Sequence, residues 1–187
     1  MNDARESRGS TLPTDRELAA RLLQGEQEAL RLVMERYGSM IIRTAFLLLR
    51  DRHWAEDVSQ EVFIALYRRI SQLHDHGSLR PWLVRITINE CRQRMRRAAW
   101  TRLIFLDKGW DERTASTPGP EESAEAISLA AVIQTLPYKY REVIVLYYYH
   151  DLTVDAISGQ LQEKSSTVKS KLARARAMLK HKLQEEG

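Results

Sequence analysis

Only one cysteine, Cys91, is present, so no internal disulfide can form, and without partner thiols a structural zinc site lacks its ligands. Cys91 is therefore read as a core residue and a reducing cytoplasm as the natural setting. No run of 18 or more apolar residues occurs, and the first thirteen residues are polar with no apolar stretch, which argues against export and membrane insertion. Strand-like alternation, internal repeats and low-complexity tracts are all missing. So are a glycine-rich phosphate loop, a nucleophile elbow and a pair of carboxylates in an apolar setting, which leaves catalysis without a basis. No cofactor is expected. The His74, Asp75, His76 cluster has no further ligand nearby and is not read as a metal site.

What the chain does have is helical periodicity and two concentrations of positive charge. The net charge is only +4, yet seven arginines against Glu90 fall in residues 80–102, and seven lysines and arginines against Glu163 fall in residues 163–182. Two such patches fit a polyanion held at two places better than a uniformly adhesive surface does. The expected fold is all-α, with two small helical domains joined by a flexible linker. Residues 1–13 read as a disordered tail. In 14–104, Thr14 and Glu17 form a capping box, Gly25 ends the first helix, and further helices follow at 26–50, 52–73 and 79–104, with Pro81 tolerated in a first turn. Gly109, Pro118, Gly119 and Pro120 mark 105–122 as the linker.

Residues 123–187 then supply helices at 123–135 and 138–150 and a helix-turn-helix. Thr153 opens its short first helix, 162–165 make the turn, and Ser165 or Ser166 caps the last helix. Ala156, Ile157 and Leu161 are expected to pack against Val168, Leu172, Ala175 and Leu179. The Tyr147, Tyr148, Tyr149 run should pack this unit against its neighbours, with hydroxyls at the rim.

Helix faces carry the functional signal. In the third helix Ala55, Val58, Val62, Leu66, Ile70 and Leu73 share one arc, and Asp57, Gln60, Glu61, Ile64 and Arg68 share the opposite one. An aliphatic residue inside a polar face points to docking on another protein. In the fourth helix Arg85, Asn89, Arg92 and Arg96 form a stripe beside Val84, Ile88, Cys91 and Met95. That stripe suits phosphates and base edges, and the nearby Trp82 suits unstacked bases, although spacing favours core packing for it. In the last helix Lys169, Ser170, Ala173, Arg174, Arg176 and Lys180 face away from the apolar side, and the small Ala173 and Ala177 permit close approach to a groove. The same patterns also fit solvated basic faces, a stand-alone helix-turn-helix regulator of duplex operators, or an RNA-binding or scaffold protein.

Three ordered segments decide among these by resemblance. Asp51-Arg52-His53-Trp54-Ala55-Glu56-Asp57-Val58-Ser59-Gln60-Glu61-Val62-Phe63 resembles the acidic D-A-E-D-L-V-Q-E-V-F helix of the extracytoplasmic-function group of bacterial RNA polymerase sigma factors. Trp82-Leu83-Val84-Arg85-Ile86-Thr87-Ile88-Asn89 resembles the W-L-x-x-I-A-x-N segment of the same group. The third pair, Leu152-Thr153-Val154-Asp155-Ala156-Ile157 and Thr167-Val168-Lys169-Ser170-Lys171-Leu172-Ala173-Arg174-Ala175-Arg176, is similar to its L-T-x-x-E-I-A and G-T-V-K-S-R-L-x-R-A-R. The resemblance runs from Thr14 to about Leu183.

It implies a non-catalytic promoter-specificity subunit retaining sigma domains 2 and 4. Asp57, Gln60, Glu61 and Ile64 would dock on the clamp coiled coil of the beta-prime subunit of core RNA polymerase, with the beta subunit a further contact. His74, Asp75, His76, Gly77 and Ser78, together with Arg85, Asn89, Arg92 and Arg96, would capture flipped bases of the melted minus-ten element of promoter DNA. Ser166, Thr167, Lys169, Ser170, Ala173 and Arg174 would read the minus-thirty-five element as duplex. The linker would thread toward the polymerase cleft, and an anti-sigma factor would cover both binding surfaces. Four residues depart from the pattern: Gln162 and Ser166 stand where glycine is frequent, Glu163 where an apolar residue is usual, and Gly159 where a helix former is expected. Lys169 and Lys171 replace frequent arginines, which weakens the case for bidentate guanine contact.

Overall fold

Thr14 and Glu17 open the first helix as their spacing requires. The Glu17 amide donates to the Thr14 hydroxyl at 3.3 Å, the Thr14 amide donates to the Glu17 carboxylate at 2.7 Å, and α1 runs Asp15–Leu23. The computed structural model describes residues 12–73, 78–104 and 124–185, and among them every regular element is helical. Gly25, at φ +77°, makes the left-handed reversal into α2, Gln27–Leu49. Arg50 ends that helix at φ 62°, an unfavourable setting for a side chain, and Asp51 at once caps α3, Arg52–Arg69, by accepting from the Trp54 amide at 2.8 Å.

The helix expected over 52–73 is shorter than its periodicity implied. From Ile70 to Gln72 the backbone tightens into a 3₁₀ turn, closed by the Leu73 amide on the Ile70 carbonyl at 3.0 Å. Tightening the last turn keeps both Ile70 and Leu73 in the core. α4, Leu79–Ile104, starts on a cap from across the fold, the Leu79 amide donating to Asp15 Oδ2 at 3.0 Å. The same Asp15 carboxylate accepts from the Tyr37 hydroxyl at 2.6 and 2.7 Å and from Arg36 at 3.1 Å. Burial and that carboxylate push the Tyr37 phenol up to about 12. Asp15 thus fixes where the segment before α4 returns to the helical body.

In this first half α2 packs against α1, α3 and α4. Val33, Ile41 and Leu48 on α2, Val58, Val62 and Leu66 on α3, and Leu83, Ile88 and Cys91 on α4 are all buried. Each fully buried aliphatic side chain contributes about 1.5–3 kcal/mol of hydrophobic stabilisation.

The second half comprises α5, Ala124–Thr135; α6, Tyr138–Ile144; a π turn, Val145–Tyr149; α7, Val154–Leu161; and α8, Ser165–Glu185. The single helix expected over 138–150 is therefore interrupted. The His150 amide reaches back to the Val145 carbonyl at 3.2 Å and the Leu152 amide to the Leu146 carbonyl at 3.1 Å, so the coil widens by a residue. Widening leaves Tyr148 outside and turns His150 fully inward. α7 and α8 form the helix-turn-helix, with Thr153 capping α7 through the Ala156 amide at 3.2 Å and Gln162 taking the left-handed turn at φ 56°.

Two details of that unit differ from the sequence reading. Ala156 is exposed, because it sits in the first turn of α7 and offers its amide, not its methyl, to the fold. Ser165 and Ser166 lie inside α8, and the Ser165 hydroxyl donates to Asp155 Oδ1 at 2.8 Å instead of capping the helix.

The halves touch. α5, α6 and the π turn pack on α2, and the buried apolar residues of both halves form one continuous cluster. The segment read as the linker lies outside the described residues.

Candidate docking face and nucleic-acid interface

On α3 and the 3₁₀ turn that follows it the division into arcs holds residue by residue. Ala55, Val58, Val62, Leu66, Ile70 and Leu73 are buried, while Asp57, Gln60, Glu61 and Ile64 are exposed, Ile64 at 43%. Beside Gln60 and Ile64 runs a shallow groove completed by Met34, Gly38, Ile42, Ser59 and Phe63. Met34 and Ile42 are exposed aliphatic positions of α2, and they widen the single aliphatic handle into an apolar strip next to the carboxylates. Sequence reasoning missed them. Their signal was the spacing of 34, 38 and 42, a second row on α2 that cannot share the core with Val33, Tyr37 and Ile41. Arg94 of α4 reaches this face, donating to Asp57 Oδ2 at 2.7 Å with its guanidinium 5.7 Å from the Trp54 ring centre.

The α4 stripe divides. Arg85, Asn89 and Arg96 are exposed, as a face for phosphates and bases requires. Arg92 instead points into the seam between the halves, where its Nε and Nη2 donate to the two oxygens of Glu142 at 2.5 and 2.8 Å and its Nη1 donates to the Leu161 carbonyl at 3.2 Å. Glu163 lies 3.5 Å from the same guanidinium and holds Lys171 of α8 through both oxygens at 2.6 Å. Glu142 is 2% exposed, and Arg92 supplies the opposite charge beside it. The bond to Glu142 raises the Arg92 pKa. Arg141 next to it is buried too, and burial followed by the Arg50 charge lowers its pKa to about 10. On the inner side of α4, Val84, Ile88 and Cys91 are buried, Met95 and Trp82 half-buried. Burial pushes the Cys91 thiol well up, which makes it an inert core group. Of the expected minus-ten loop, His74, Asp75, His76 and Gly77 lie outside the described residues; Ser78 is partly buried just ahead of α4.

A second polar contact crosses the seam at His150. Its Nε2 lies 3.0 Å from the Thr44 hydroxyl, which itself donates to the Met40 carbonyl at 2.7 Å. With its one hydrogen given to Met40, Thr44 accepts from His150, which assigns the proton of the imidazole to Nε2. Nδ1 is buried without a partner. A proton added there meets no acceptor, and burial, then the nearby Arg80 charge, lowers the His150 pKa to about 4. Gln134 makes a third crossing, donating to the Phe46 carbonyl at 3.1 Å.

On α8 Ser166, Thr167, Lys169, Ser170, Ala173 and Arg174 are all exposed, and Val168, Leu172 and Ala175 are buried beneath them with Ile157 and Leu161. Arg176 is exposed with the rest of that arc and lies over the tyrosine run. Its Nε donates to the Tyr148 hydroxyl at 2.9 Å and its guanidinium lies 5.2 Å from the Tyr147 ring centre. Sequence reasoning also missed Glu142 and His150, since a glutamate and a histidine in a helical run carry no periodic mark of a partner in another domain.

Among known proteins, residues 33–101 match the family described as Sigma-70 region 2, and residues 126–179 match Sigma-70, region 4. The RNA polymerase sigma factor NccH of Alcaligenes xylosoxydans xylosoxydans is 30% identical over 91% of this chain and 95% of its own length. The ECF RNA polymerase sigma factor SigW of Bacillus subtilis is 30% identical over 87% and 92%. The ECF RNA polymerase sigma factor SigE of Mycolicibacterium smegmatis is 31% identical over 79% of this chain, which spans 59% of that relative's length. Among solved structures, CnrH in complex with the cytosolic domain of CnrY is similar at TM-score 0.65 and 26% identity, over 92% of this chain and 99% of that one. The sigma factor RpoE bound to the anti-sigma factor NepR, from Bartonella quintana, shares the fold at TM-score 0.69 and 22% identity, over 86% and 98%.

Proposed function

The chain belongs to the extracytoplasmic-function group of RNA polymerase sigma factors, and from that premise we propose a division of labour among its surfaces. It is a non-enzymatic initiation factor that binds core RNA polymerase in the cytoplasm and directs it to promoters. The face bearing Asp57, Gln60, Glu61 and Ile64 docks on the beta-prime clamp, Arg85, Asn89 and Arg96 with the segment before α4 take the minus-ten element, and α8 reads the minus-thirty-five element; domain 4 also meets the beta subunit. The domains are placed at 14–104 and 123–187, with 105–122 between them. An anti-sigma factor regulates the chain by covering the binding faces.

One observation carries this reading. The acid and amide groups of α3 stand exposed beside an apolar strip, on a helix whose opposite arc alone makes the core. A solvated helix face has no need of that strip.

The arrangement of the halves adds a requirement. Elements roughly 25 base pairs apart are separated by about 85 Å at 3.4 Å per pair. A compact chain of this length has a radius of gyration of about 16 Å. With its halves in contact the chain cannot reach both elements, so the seam opens on the polymerase. Arg92, released from Glu142, then joins the minus-ten stripe.

Replacing Asp57, Gln60 and Glu61 together by alanine tests the docking face. The expected result is loss of core-polymerase capture with an unchanged unfolding curve, because the exposed Arg94 to Asp57 pair contributes at most about 1 kcal/mol. Full capture by the triple variant would remove the docking assignment. A stand-alone regulator would also retain tight operator binding without core enzyme.

A further inference from the structure

Two helix starts converge on one carboxylate. Asp15 stands in the first turn of α1, where the reciprocal bonds of Thr14 and Glu17 hold its backbone. Its Oδ2 accepts from the Leu79 amide at 3.0 Å, 64 positions along the chain, and so caps α4 from outside that helix. The side chain that reaches across is itself held on α2. The Tyr37 hydroxyl donates to both carboxylate oxygens at 2.6 and 2.7 Å, and Arg36 Nη1 donates to Oδ1 at 3.1 Å. Arg36 Nη2 donates in turn to the Pro13 carbonyl at 2.5 Å, which closes the ring of bonds around the start of α1. The negative charge of Asp15 also meets the positive end of the α4 dipole. Three helices are therefore tied together at the point where one of them begins.

We propose that Asp15 is a positioning residue for minus-ten readout: it fixes where α4 starts, and through that start where Arg85 and Asn89 meet unpaired bases. The inference rests on the reading of Arg85 and Asn89 as part of the minus-ten face. Both are exposed, and at 1.5 Å per residue they lie about 9 and 15 Å along the helix from Leu79, so Asp15 acts through the helix and not by contact. What it supplies is axial placement. The inner side of α4 is aliphatic at Leu79, Leu83 and Ile88, all fully buried. Such packing decides which face points inward, yet it is non-directional and resists a slide along the axis less than a hydrogen bond of set length does. Recognition of a base tolerates little slide, because its donors and acceptors must be held within about 0.5 Å of the productive geometry. A cap that is anchored on two other helices meets that demand.

The test uses the full chain bound to core RNA polymerase and two labelled forked DNAs, single-stranded through the minus-ten region. One is enriched by the wild-type holoenzyme from a pool randomised in that region, and the other is the unselected pool. The readout is the ratio of the two affinities, which a loss of folded chain leaves unchanged because both DNAs see the same active fraction. Asp15→Ala should lower the ratio by about tenfold, the cost of roughly one misread base, with core capture retained. Asp15→Asn should keep most of it, since its one carbonyl oxygen has two lone pairs and can serve both Leu79 and Tyr37. Tyr37→Phe removes a partner of the carboxylate but leaves the cap on α4, so it should lower the melting temperature with the ratio unchanged. Asp15→Ser keeps a hydroxyl yet falls one bond short of Leu79. It takes the place of Asp15→Ala if that variant does not fold, with the same fall expected. A wild-type ratio in Asp15→Ala or Asp15→Ser overturns the proposal, as does an equal fall in Tyr37→Phe or in Asp15→Asn. Asn89→Ala separates the proposal from the reading beneath it: if Asn89→Ala erodes the ratio and Asp15→Ala does not, the minus-ten face stands without Asp15. An unchanged ratio in Asn89→Ala overturns both.

Discussion

The seam between α2 and α3 and the seam between the two halves of the chain are built from different chemistry. The first is aliphatic: Val33, Ile41 and Leu48 lie in one packed cluster with Val58, Val62 and Leu66, none of them more than 1% exposed. The second also has apolar packing, but it is threaded by Arg92 on Glu142, His150 on Thr44 and Gln134 on the Phe46 carbonyl. Opening an aliphatic seam exposes carbon to water with nothing gained in return. Polar groups rehydrate when separated, and a buried ion pair recovers much of its desolvation cost. The first seam is thus suited to permanence and the second to parting.

The largest expected effect comes from removing one partner of the ion pair. Arg92→Ala leaves Glu142, 2% exposed, without its bidentate partner, and removing one partner of a buried ion pair costs about 3–5 kcal/mol. The contrast between the seams says where that cost falls: the halves separate while α1 to α4 stay folded. Small-angle scattering should report expansion, and the helical signal should persist. A variant as compact and as stable as the wild type would erase the distinction between the seams. The double change Arg92→Met with Glu142→Leu should stay closed, because it replaces the pair with apolar volume instead of orphaning a charge.

Acidification probes the same seam with a smaller effect. His150 is neutral in the closed chain with a pKa of about 4 and has an ordinary value near 6.5 once exposed. Between those values the opened state binds the extra proton, so the contribution of His150 to closure is complete above about pH 6.5 and declines as pH falls toward 4. At 1.36 kcal/mol per unit, about 2 kcal/mol is lost by pH 5. An inter-domain energy-transfer signal followed from pH 7 to pH 5 should fall in the wild type and stay flat over this range in His150→Gln. Superimposable curves would assign the pH response to another group.

The unequal legibility of the two seams in the sequence has the same physical origin. A helix arc of Ala55, Val58, Val62, Leu66, Ile70 and Leu73 announces itself because local geometry fixes which side chains share a face. The exposed face of α8 was legible for the same reason, since Val168, Leu172 and Ala175 fix the opposite side. Arg92 sat in a legible stripe but its partner did not, because Glu142 meets it only through the docking of distant helices. The π turn was hidden as well: the apolar and aromatic run from Val143 to Tyr149 reads as helix, and only the inward pull of His150 toward Thr44 distinguishes the widened coil. Asp15 likewise shows at sequence level only as a first-turn acid of α1, and its cap on α4 spans 64 positions.

The smallest expected effect asks whether the halves are separable folding units. Gly159 lies exposed within α7, and a Cβ built there meets nothing within 4 Å. Gly159→Ala should therefore stabilise the helix-turn-helix by about 1 kcal/mol, the difference in helix propensity between the two residues. In the wild type the halves share one continuous core, so the gain should raise a single melting transition by roughly 2–4 °C. In the Arg92→Ala background the seam is open and the aliphatic seam of the first half intact. There the same substitution should move only the transition of the second half, read by hydrogen exchange at the amides of α6 to α8 against those of α2 and α3. Equal displacement of both transitions would mean that the halves remain one cooperative unit without Arg92, and that the polar seam is no weaker than the aliphatic one.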